Sequence, residues 1–123
     1  MPHIDRRFIA VAILYALVGQ GLGIYMGATK AFEYRDVHAH LNLVGWATLA
    51  LAGLIYRSYP ELAKRALARW HFWFANAGAL LLMIGIYVVV LYDFEPPVII
   101  GALLTITGTA LLALNFYRGV GES

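Results

Sequence analysis

Residues 70–92 read WHFWFANAGALLLMIGIYVVVLY, twenty-three positions without one Asp, Glu, Lys or Arg. As a helix rising about 1.5 Å per residue, such a run exceeds the ~30 Å hydrocarbon thickness of a bilayer. Working outward from it, three more apolar runs appear, at 8–28 and 37–56 upstream and at 98–117 downstream. Each has about the 20 residues that one crossing needs. The expected fold is therefore all-α: an integral membrane four-helix bundle, with residues 1–123 forming a single four-transmembrane-helix domain. No stretch remains for a domain outside the membrane. Composition agrees: 62% of the 123 residues are hydrophobic and 13% charged, against about 25% charged in soluble domains. A chain this short has too little interior to hide so much apolar surface from water, so the lipid bilayer is its expected solvent. The first apolar run continues through Tyr25 with no small-residue cleavage site after a short core, which favours a span over a removable leader.

The chain has no cysteine, which excludes disulfides, thiolate metal sites and thioether-linked haem. A net charge of +2, concentrated at helix ends, gives no basis for a nucleic-acid partner. The short connections predict antiparallel neighbours, and Pro96-Pro97 fits the first turn of the fourth helix. The longest connection, 57–69, has helical character around Pro60-Glu-Leu-Ala and is expected at the membrane interface. Seven of the nine basic residues, Arg6, Arg7, Arg57, Lys64, Arg65, Arg69 and Arg118, fall on one side. That asymmetry places both termini in the cytoplasm, and the expected location is a bacterial inner (plasma) membrane. On helix one, Gly19, Gly23 and Gly27 recur every four residues with Gly21 between them. Such a stripe serves close packing within the four-helix unit or contact between protomers. Gly101, Thr105, Gly108 and Thr109 make a weaker version on helix four.

Chemistry concentrates in residues 35–46, RDVHAHLNLVGW, which open helix two at the opposite side. Ionisable side chains within a span are unfavourable in hydrocarbon and usually functional. Residues two apart on a helix point about 200° apart. His38 thus shares a face with Asn42 and Gly45, while His40 points the other way with Val44 and Ala47. This spacing does not suit one metal ion held by both histidines of one helix, which needs i, i+3 or i, i+4. It suits ligands to two sites, one on each side, and Gly45 leaves a gap fit for a flat macrocycle.

The run HAHLNLVGW at 38–46 resembles the haem-ligating helices of subunit I of haem–copper oxidases and the related nitric oxide reductases. In that family an HxH pair near the outer end of one helix serves two haems. The subunit is three arcs of four helices with pseudo-threefold symmetry, and this chain is about one arc long. The resemblance implies haem b, its iron ligated by His38 and His40. The family's copper site needs further histidines, including an adjacent pair, and no His-His occurs here. No acidic residue sits mid-membrane to relay protons, so a complete oxygen-reducing centre is not expected.

His71 belongs to the opposite end of the membrane, so a second axial histidine would come from another copy of the chain. The expectation is a homo-oligomer, trimer or dimer, with haem at the interfaces. Arg35, then Lys30, would pair with haem propionates, and Asp36 or Asn42 would hold a non-ligating imidazole nitrogen. His71, between Trp70 and Phe72, reads as an interfacial anchor. Gln20, Asn76 and Asn115 read as interhelical hydrogen-bonders, and Tyr15 and Tyr87 as packing residues. The leading functional expectation is electron transfer or O2/NO binding by a b-type haem membrane protein. A zinc or copper site, or a non-catalytic accessory or assembly subunit of a respiratory complex, stands as the alternative, and a small transporter ranks third.

Overall fold

The structure, a computed structural model, describes residues 1–122. It contains α1 (Ile4–Thr29), α2 (Phe32–Ser58), the short α3 (Pro60–Ala63), α4 (Ala66–Tyr92) and α5 (Pro96–Gly121). No strand occurs among the described residues. The four long helices are each long and apolar enough to cross a membrane. All four run past the ranges read from hydropathy. Hydropathy marks where hydrocarbon should end, whereas a helix continues until its backbone ladder is interrupted. That happens at Lys30 and Asp93, whose φ values of 60° and 53° are left-handed, the conformation in which helices commonly end. Pro96 and Pro97 open α5, and Pro60 opens α3, where the missing N–H costs nothing.

The long helices alternate in direction. Arg57 at the end of α2 bonds Asp5 at the start of α1 (3.3 Å), and Arg65 before α4 bonds Glu122 after α5 (3.2 Å). Both termini and α3 therefore share one end of the molecule. The seven basic residues grouped by sequence lie at that end, and Lys30 and Arg35 lie at the other.

Glycine sets how closely the helices approach. A Cβ on Gly85 would collide with the main chain of Pro97 and Val98, and one on Gly101 with that of Leu81 and Leu82. Gly78 would meet Thr105 N at 2.6 Å, and Gly108 would meet Ala75 N at 2.9 Å. The stripe expected to be the weaker one thus makes the tightest helix pair, α4 against α5, with backbones in contact. The buried residues of α5, Gly101, Gly108 and Asn115, fall seven apart on one line. Its other faces stay open, with Leu103 60% and Ile106 66% exposed. An apolar surface this large needs an apolar solvent, as an integral membrane protein has.

A first core cluster joins Ile4, Phe8 and Ala12 of α1, Leu49, Ala52 and Tyr56 of α2, Leu62 of α3, and Phe72 and Ala75 of α4. A second cluster, Val37, Leu41, Leu82, Met83 and Ile86, closes the other end. His71 packs against the first. It is 3% exposed, its Nδ1 lies 2.8 Å from the Tyr56 hydroxyl, and its ring lies 4.8 Å from that of Phe8. The interfacial-anchor reading of His71 is therefore corrected: its neighbours Trp70 and Trp73 face outward, while His71 turns inward. Of the three amides, Asn115 does bridge elements, donating to the Leu62 carbonyl at 3.1 Å, but Asn76 bonds only its own helix at Phe72 (2.7 Å). Tyr56→Phe would leave the buried His71 Nδ1 without a partner, a cost of about 1–3 kcal/mol. The expected result is a lower unfolding midpoint in a detergent titration, with helix content unchanged at the start.

Candidate functional site

The histidine pair lies where α2 changes its winding. Residues Arg35–His40 are α-helical and Leu41–Thr48 form a π-helix, before α-helix resumes at Leu49–Ser58. The Thr48 hydroxyl donates to the Leu43 carbonyl five residues back (2.7 Å), in step with the wider turn. Short π segments inside α-helices recur at functional sites. Here the segment follows His40 directly and contains Asn42 and Gly45. Across from it on α1, Tyr15, Gly19 and Gly23 are four apart and meet Gly45, Asn42 and His38 in turn.

His38 packs into the space that Gly23 leaves; a Cβ there would stand 2.7 Å from its Cε1. His38 Nδ1 lies 2.8 Å from the Gly19 carbonyl oxygen. A carbonyl only accepts, so Nδ1 carries the proton and donates. In the neutral ring the lone pair is then on Nε2. Asn42 donates from Nδ2 to the His38 carbonyl at 2.8 Å and fills the space at Gly19. Its Nδ2 also lies 3.4 Å from His38 Nδ1, two donors side by side once that nitrogen is protonated. His40 repeats the pattern on its own helix, Nδ1 donating to the Asp36 carbonyl at 2.8 Å. No described residue bonds either Nε2. The one fully buried side-chain nitrogen or oxygen left without a partner is Asn115 Oδ1, so both free Nε2 atoms reach the molecular surface.

The two histidines thus diverge, as their spacing predicts, with His38 against α1 and His40 outside that contact. An imidazole nitrogen whose ring partner is anchored is what a haem iron, zinc or copper takes as a ligand. Arg35 is exposed about one turn before His38, at the end of the molecule where Lys30 lies with its Nζ 6.0 Å over the Phe32 ring. The gap at Gly45 is filled within the chain, because a Cβ there would lie 2.6 Å from Cγ of Tyr15. Gly45 therefore admits the Tyr15 ring, and the space assigned to a macrocycle at that position is taken. Asp36 serves His40 through its main chain and not its carboxylate. His71 is bonded to Tyr56, eighteen residues beyond His38 on α2 and so roughly 27 Å away by helical rise. It cannot share an iron with either histidine of its own chain. Among the described residues no three His, Asp or Glu side chains gather round one point.

Sequence reasoning missed the two residues that orient His38, Gly19 and Gly23. The signal was present: their four-residue stride on α1 matches the stride from His38 to Asn42 on α2. Comparison of the chain with protein-family profiles, curated proteins and solved structures finds no match in any of the three.

Proposed function

We propose that this chain is a b-type haem-binding membrane protein that transfers electrons or binds O2 or NO, with His38 and His40 as the residues that would hold the haem. The observation that carries the reading is the shared anchoring of both rings through Nδ1. Both Nδ1 atoms donate to backbone carbonyls, leaving two surface-reaching Nε2 lone pairs on diverging sides of α2. A ligand histidine is ordinarily held this way, by a bond from its other nitrogen. Haem would supply the redox or gas-binding chemistry. The chain's own residues would hold the imidazoles and offer Arg35 to the propionates. Within one chain no second imidazole reaches either side, so a bis-histidine iron requires a second protomer, in a dimer or trimer. The bacterial inner membrane, with both termini cytoplasmic, remains part of this reading, supported by the seven basic residues at one end.

The test is a visible spectrum of the detergent-purified protein, oxidised and dithionite-reduced, before and after adding haemin. Sharp reduced bands of low-spin haem b are expected. A protein colourless before and after haemin would reject the reading and move the weight to an accessory subunit or a zinc or copper site.

A further inference from the structure

The outward face of α1 carries a polar group that the fold leaves unsatisfied. Every Asn and Thr side chain in the four long helices makes a hydrogen bond, to a backbone carbonyl of its own helix or across to another element. Gln20 alone among the described amides and threonines makes none. It is exposed, and it lies nine residues, about 14 Å, from the end of α1 at Thr29. That depth is inside the hydrocarbon, where an amide with no partner is costly.

The residues around Gln20 repeat at the spacing of a helix–helix seam. Ile13, Leu17, Gln20, Ile24 and Gly27 are separated by four, three, four and three residues, and all five are exposed. Ile24 is 75% exposed, and at Gly27 a Cβ would meet nothing within 4 Å. A 3.5-residue repeat keeps one line of side chains facing a partner helix, and a single polar residue within it fixes register. The inward glycines of α1, Gly19 and Gly23, are already used by Asn42 and His38, so this line is a separate surface.

We infer that this seam is the interface with a second copy of the chain, packed about a twofold axis along the membrane normal, with the two Gln20 amides bonded to each other. The choice of partner follows from the chemistry of the group. A carboxamide carries both donor and acceptor, so it is complementary to itself. A twofold axis along the membrane normal sets each residue of parallel α1 helices opposite its own copy. Interhelical amide bonds of this kind drive association in lipid, where apolar side chains alone give no preference for protein over tails. The inference rests on the membrane-spanning reading and does not need haem.

The test measures self-association by energy transfer between labelled copies in liposomes, with haem-free protein and again after haemin. Gln20→Leu is expected to raise the dissociation constant roughly 3- to 30-fold, the range of such bonds in lipid. Cysteine is absent from the natural chain, so a single introduced one reports its own neighbours. Ile24→Cys should form a disulfide-linked dimer on oxidation, while Ile106→Cys on the open face of α5 should not. A dissociation constant unchanged by Gln20→Leu, or equal cross-linking at both positions, overturns the interface. Loss of haem with association intact overturns only the haem reading.

Discussion

His38→Ala is expected to abolish the low-spin haem b spectrum or convert it to a weaker, high-spin form, with haem retention lowered more than ~100-fold. Removing the partner that orients a metal ligand typically costs 10–100-fold in affinity, and removing the ligand itself must cost more. His40→Ala should behave alike if each iron has two histidines. A protein that loses haem with only one of these substitutions has one protein ligand and an open coordination position. Gly23→Ala separates ligation from folding. Its Cβ would stand 2.7 Å from His38 Cε1 in a ring tied to Gly19 at 2.8 Å, so the imidazole must turn. Haem affinity in Gly23→Ala is expected to fall within the 10–100-fold range while the helices stay intact. Haem content by pyridine haemochrome and helix content by circular dichroism check both. Unchanged haem in His38→Ala and His40→Ala together would remove the pair from the ligand set.

Gly85→Leu is the substitution expected to damage the fold most. The added Cβ would overlap the main chain of Pro97 and Val98, and a backbone cannot rotate aside as a side chain can. The α4–α5 pair, joined by the Asp93–Glu95 connection and closely packed at its small residues, would have to separate along this line. Overpacking typically costs 1–3 kcal/mol, and backbone displacement belongs at or above about 3 kcal/mol. The expected result is failure to accumulate a folded protein, or a strongly lowered midpoint in SDS titration. Gly21→Ala, where nothing lies within 4 Å of the added carbon, should stay within about 1 kcal/mol of wild type, helped by better helix propensity. Equal effects of the two would refute the packing assigned to α4 and α5.

The number of long apolar helices, their order and their antiparallel arrangement were legible in the sequence. So was the divergence of His38 from His40, because it depends only on local helical geometry. These properties arise from chain length, hydropathy and the angle between successive residues, all of which a single segment carries. The rotation of each helix about its own axis was not legible. A soluble helix marks its inward face with apolar residues, but a span is apolar all round, so no stripe shows which side meets protein and which meets lipid. For that reason His71 read as an anchor and is buried against Tyr56 and Phe8. The gap at Gly45 read as room for a macrocycle and holds Tyr15. Gly19 and Gly23 went unnoticed as the cradle of His38, and Gln20 read as an interhelical bonder and faces outward with no partner in its own chain. The sequence determined how many helices are long and apolar enough to cross a membrane and that His38 and His40 diverge. Only the close approach of small residues in the tertiary structure decided the rotation of each helix, and with it what every polar side chain touches.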